Sequence, residues 1–189
     1  MKLPRKPFAW TLRERRSAFE NPWMDVQVID SLDPNGKPAD YALVHFKNLA
    51  VGIVPYEDDH IWIVGQSRVG FKSYSWEIAA GGGSFDDPPE LAAARELKEE
   101  TGFTAKTFTP IIKMETSNSV TDERAIIFLA TGLTPGETEH ESSEDISVMK
   151  ISLDDAIAAV EAGEIRHSLG VAAIYKLALM RAAGELDGL

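Results

Sequence analysis

Cysteine is absent from the 189 residues, so disulfides, thiol nucleophiles and thiolate zinc sites are excluded. No stretch of about 20 apolar residues occurs, and the basic start, residues 1–23, lacks the continuous apolar run of a secretory signal. The expected compartment is the cytoplasm, with no membrane partner. Positive charge is scarce: 19 Lys and Arg stand against 30 Asp and Glu, a formal charge of −11. Phosphate backbones require basic surface, so a general nucleic-acid binder is excluded. Small phosphorylated ligands remain, because a metal and a few arginines reverse the sign of the field locally.

What is present suits a folded domain. At 44% hydrophobic and 26% charged, the chain is long enough to bury one core with a small appendage. Residues 1–20 read as a basic arm. Residues 24–30 alternate in polarity, Asp33-Pro34-Asn35-Gly36 is a strong turn, and residues 41–46 return, which predicts a hairpin. Residues 49–56 and 60–64 form a second strand pair, followed by a short strand into residues 76–78. Strands are further predicted over 106–114, 124–130 and 146–151. Ser152 is expected to cap a helix reaching Val160, and Ser168 another reaching Met180. In the latter, Val171, Ile174, Tyr175, Ala178 and Leu179 form an apolar stripe expected to face the core. This order describes a mixed sheet with helices on its faces.

The chemistry concentrates in residues 76–103, WEIAAGGGSFDDPPELAAARELKEETGF. They read as a strand, a glycine-rich loop and a helix. Pro88 and Pro89 fit only a first turn, which makes Asp87 the expected N-cap with Glu90 at the third helical position; Gly102 ends the helix. Leu97, Ala93 and Ala94 suit packing on a sheet. Glu96, Glu99 and Glu100 share one helical face, with Arg95 four residues before Glu99. Carboxylates so close repel one another unless a cation neutralises them. Magnesium takes hard oxygen ligands and shares them with substrate phosphates.

Gly81, Asp87 and the run Arg95-Glu96-Leu97-Lys98-Glu99-Glu100-Thr101-Gly102-Phe103 resemble the Nudix box, G-x5-E-x7-R-E-U-x-E-E-x-G-U with U apolar. Every fixed position matches except Asp87, which stands where the family has glutamate. The resemblance implies a Nudix-type α/β/α sandwich that hydrolyses a nucleoside diphosphate linked to another group, using Mg2+ or Mn2+. It makes Glu96 and Glu100 the principal metal ligands and Glu99 a further or water-mediated one. Arg95 orients the carboxylates, and the carbonyl before the box glycine, that of Ala80, also touches metal. Residues 47–189 are then the hydrolase domain. Residues 1–46, an N-terminal arm and β-hairpin extension, resemble the part of ADP-ribose and nucleotide-sugar pyrophosphatases that helps form a homodimer.

Within that branch, a glutamate from the loop before the last strand activates water. Glu144 is the first choice and Glu141 the second. Arg68 resembles an arginine that contacts substrate phosphates, Glu77 belongs to a Trp-Glu pair typical of the branch, and Trp23 is placed to stack on a base. As plainer roles, Arg68 and Glu77 are an ion pair and Trp23 is dimer core. Relatives specific for ADP-ribose often carry a proline after the box, whereas this chain has Ser117-Asn118-Ser119-Val120. The substrate class is therefore a nucleoside diphosphate sugar, with ADP-ribose and GDP-mannose both open. Two further readings are a Nudix enzyme for nucleoside triphosphates or dinucleoside polyphosphates, and a non-catalytic nucleotide-binding module. The last is motivated by Asp87, and by Ser84 where the branch often has another glutamate.

Overall fold

The computed structural model describes residues 1–138 and 145–189. They divide into two compact units, Met1–Lys47 with Ser117–Glu123, and Asn48–Thr116 with Arg124–Leu189.

The first unit is an antiparallel sheet in the order β1-β2-β3, with β1 Thr11–Glu20, β2 Met24–Leu32 and β3 Pro38–Phe46. The β2–β3 turn forms as its residues dictate. Asp33 Oδ1 accepts from the amides of Asn35 and Lys37 at 2.8 and 2.9 Å, and Gly36 takes φ +79°. The expected arm is corrected: half of it is strand β1. All ten β1 residues are exposed, so the alternation that marks a half-buried strand is missing, and pairing with β2 makes the strand instead. Arg13, Arg15 and Arg16 suit an edge, where charge discourages further pairing. At the other edge, β3 meets the returning segment of the chain. Val44 N donates to Val120 O at 2.9 Å, and Phe46 N donates to Asp122 Oδ1 at 2.9 Å. Asp122 Oδ2 lies 2.6 Å from His45 Nδ1. Burial pushes the Asp122 carboxyl up, but the bonds from His45 and Phe46 outweigh it and hold the group below its ordinary range.

The second unit has a seven-stranded mixed sheet. Its strands are β4 Leu49–Glu57, β5 His60–Arg68, β6 Ser73–Glu77, β7 Ala79–Gly83, β8 Thr107–Glu115, β9 Arg124–Thr131 and β10 Ser147–Ser152. The order is β10-β5-β4-β9-β8, with β6 on β5 and β7 on β4; β4 and β9 run parallel. Both are covered on two faces, which explains their near-continuous apolar runs. On one face Val51, Ile53, Ile126 and Phe128 pack with Ala92, Ala93 and Leu97 of α1, Pro89–Thr101. On the other, Tyr56, Ile127 and Leu129 pack with α2, Leu153–Glu161, and α3, Ser168–Ala182. The result is an α/β/α sandwich. Among the described residues no helix is long and apolar enough to cross a membrane.

Three local expectations change. The glycine-rich loop is strand β7, paired from Ala79 to Gly83 with β4. The cap of α1 is Pro88, with no side-chain cap bond, so Asp87 stands one residue outside the helix and is exposed. Two consecutive prolines carry the chain into the first turn, Pro88 as the cap and Pro89 at the first helical position, and the Leu91 amide donates to the Pro88 carbonyl at 3.0 Å. In α3 the cap is His167 rather than Ser168, and the buried face is Ala173, Ile174, Leu177 and Met180. Tyr175 and Leu179, at 39% and 69% exposure, face away from the core, and Ala94 of α1 is likewise exposed. Ser152 does cap α2, accepting from Asp155 N at 3.0 Å.

Candidate active site

Strand β7 and helix α1 build the site together. Gly102, at φ +76°, closes α1 by donating its amide to Lys98 O at 3.0 Å. Ala92, Ala93 and Leu97 fasten the helix to the sheet, and this turns the acidic face toward β7. Glu100, only 6% exposed, accepts the Ala80 amide on Oε2 at 3.0 Å. The Glu96 carboxylate lies against Gly81, so close that a Cβ there would overlap it. Two carboxylates one helical turn apart thus converge on two consecutive backbone residues of the strand.

Arg95 gathers this face. Its Nη2 donates to Glu96 Oε1 at 2.6 Å and to the Gly82 carbonyl at 2.7 Å, and its Nε lies 3.7 Å from Glu99 Oε2. The bond to Glu96 raises the Arg95 pKa against a modest burial penalty, with the charges of Glu96 and Glu99 adding to it. Among the described residues no group of three carboxylate or imidazole side chains converges closely enough to hold a cation as it stands. The donor set nevertheless fits one: Glu96 and Glu100 are hard-oxygen donors on a rigid helix, and the missing side chain of Gly81 lets the Glu96 carboxylate reach the strand beside Ala80, whose amide Glu100 accepts. Asp87 makes no side-chain hydrogen bond or ion pair among the described residues. Glu141 and Glu144 lie outside the described residues.

A second feature of the same unit is a cleft of about 720 Å3 between the β5–β6 turn and the start of α3. Arg68, Phe71, Glu77, Arg166, His167 and Ser168 line it. Arg68 grips buried Glu77 with two bonds, Nε to Oε1 at 2.9 Å and Nη2 to Oε2 at 2.6 Å. His167 Nδ1 is 3.5 Å from Glu77 Oε2. Burial pushes the Glu77 carboxyl up, but Arg68, His167 and Ser75 together hold it below its ordinary range. Arg166 and His167 carry no motif and lie far along the chain from the acidic helix, so the sequence offered no signal for them. Trp23, in the first unit, is 66% exposed in the bend between β1 and β2.

The sheet between an acidic helix and two further helices, with paired carboxylates set over a glycine strand, is the architecture of a Nudix-type α/β/α sandwich. The chain belongs to the NUDIX domain family, whose model matches residues 46–169. It is 34% identical over 170 residues to an ADP-ribose pyrophosphatase of Bacillus subtilis (strain 168), covering 89% of this chain and 92% of the relative. An ADP-ribose pyrophosphatase of Mycobacterium tuberculosis (strain ATCC 25618 / H37Rv) is 35% identical over 131 residues, 66% of this chain and 62% of the relative. A crystal structure of an ADP compounds hydrolase shares the fold, with a TM-score of 0.84 over 97% of this chain and 100% of that one at 24% identity.

Proposed function

We propose that this Nudix pyrophosphatase hydrolyses the diphosphate linkage of a nucleoside diphosphate sugar of the ADP-ribose type, yielding a nucleoside monophosphate and a sugar phosphate. The observation that carries the reading is the convergence of Glu96 and Glu100 on Ala80 and Gly81 of β7. The two relatives named ADP-ribose pyrophosphatases favour ADP-ribose over GDP-mannose.

Glu96 and Glu100, with Glu99 and the Ala80 carbonyl, are the groups that would hold Mg2+ or Mn2+. Such an ion supplies charge neutralisation at the phosphates and acidifies water. Arg95 keeps the carboxylates in one orientation through its bonds to Glu96 and the Gly82 carbonyl. In this reading Glu144, or Glu141 in its place, takes the proton of the water that attacks one phosphorus as the bridging P–O bond breaks. Arg68, braced by Glu77, faces the substrate phosphates, and Trp23 stacks on the base.

A panel of ADP-ribose, GDP-mannose, UDP-glucose, NADH, diadenosine polyphosphates and nucleoside triphosphates, assayed with and without magnesium, tests the reading. ADP-ribose is expected to be cleaved fastest, and only with the metal. Preference for triphosphates or dinucleoside polyphosphates would move the enzyme to another substrate class. Nucleotide binding without any hydrolysis would make it a binding module.

A homodimer resting on residues 1–46 belongs to the same proposal, supported by the exposed Leu12, Phe19 and Trp23 of the first unit. Light scattering at micromolar concentration is expected to give twice the chain mass; a monomer mass rejects it.

A further inference from the structure

The acidic face of α1 repels phosphate until a cation is bound, whereas the cleft at the start of α3 has the opposite balance. Two cations, Arg68 and Arg166, line it with His167 against a single carboxylate, Glu77, which Arg68 already holds by two bonds. Arg166 has no carboxylate partner among the described residues. Ser73 and Ser168 add hydroxyls to the wall. At the rim, Val69 and Phe71 are 91% and 86% exposed among the described residues, a large apolar surface. The volume, about 720 Å3, falls within the range of small-molecule sites.

We propose that this cleft binds a phosphate monoester without a metal ion, Arg166 and Ser168 holding the phosphate and Phe71 offering an apolar face to the rest of the ligand. Both products of the proposed hydrolysis, a nucleoside monophosphate and a sugar phosphate, have this chemistry, and in that respect the inference rests on the proposed function. The cleft is close enough to serve as a product site. Glu77 lies three residues before Ala80, so their Cα atoms are at most about 11 Å apart. Phe71 favours the nucleotide, whose base has a flat face, over the sugar phosphate.

Isothermal titration of the full chain with AMP, and separately with ribose 5-phosphate, in buffer containing EDTA reads the binding that needs no cation, and Arg166, which has no part in the proposed hydrolysis, assigns that binding to the cleft. Saturable binding of one ligand per chain is expected, with AMP the tighter. Arg166→Ala is expected to weaken it at least tenfold, and Phe71→Ala to weaken AMP more than ribose 5-phosphate. Both substituted side chains are exposed, so the variants should fold. Failure of both ligands to bind in EDTA, or binding unaffected by Arg166→Ala, overturns the proposal. Stronger binding of ribose 5-phosphate would keep the phosphate site and reject the role of Phe71. ADP-ribose hydrolysis measured with magnesium on the same preparation separates the two readings. Hydrolysis without metal-free binding removes only the cleft, and binding without hydrolysis removes only the proposed reaction.

Discussion

Glu96→Gln and Glu100→Gln are each expected to lower kcat by about a thousandfold or more, equivalent to about 4 kcal/mol of transition-state stabilisation. Both changes keep the shape of the side chain and remove its charge. Glutamine at position 100 retains an oxygen for the Ala80 amide, which Glu100 now satisfies at 3.0 Å. At position 96 glutamine likewise keeps an oxygen to accept from Arg95, whose side chain is half exposed and also bonds the Gly82 carbonyl. Removing one of three neighbouring negative charges also relieves repulsion along the helix. Melting temperatures should therefore stay within a few degrees of the parent while turnover collapses. Full activity in both variants would remove the site from α1.

Gly81→Ala is the second change with a large expected effect. A Cβ at this position would run into the Glu96 carboxyl group, which Arg95 simultaneously holds at 2.6 Å. Either the carboxylate swings away from β7 or the strand shifts, and both separate Glu96 from Glu100. Displacement by about 1 Å at a catalytic centre costs on the order of a hundredfold in rate, and that is the loss expected here. Gly82→Ala is the control, since its Cβ would meet only the Asn48 side chain at 3.6–3.8 Å, ordinary contact. Comparison of kcat for the two alanine variants decides the matter. Equal activities would show that close approach of Glu96 to the strand has no catalytic role.

The acidic helix was legible because its signals are local. Its prolines, its glycine terminator and three glutamates on one face lie within a few turns, and each has its own physical meaning. Strand β9 was legible for a different reason, because burial on two faces selects an unbroken apolar run. Elsewhere the deciding partner is distant in sequence. Glycines such as Gly83 look like loop, yet a side chain there would press on Ala92 Cβ at 3.0 Å, so close packing of α1 onto a strand requires them. Strand β1 has no apolar face to announce it and depends on the β2 backbone. Helix α3 is apolar around most of its circumference, so periodicity could not choose between the Tyr175 side and the Ala173 and Leu177 side; contact with the sheet chose. The cleft is the extreme case, since Arg166 and His167 meet Arg68 and Glu77 only after both ends of the second unit have folded.

The tie between β3 and Asp122 also bears on how the protein is made. His45 and Asp122 are 77 residues apart in the chain, so at about 5–20 residues per second a ribosome needs about 4–15 s to supply the second after the first. For that interval the three strands of the first unit have been synthesised while the outer edge of β3 lacks the amide and carbonyl partners at Val44 and the carboxylate under Phe46. An open strand edge is a template for pairing with other chains. The nascent protein is therefore most exposed to misassembly after its first quarter is made, and slowing translation beyond residue 47 should lower its soluble yield.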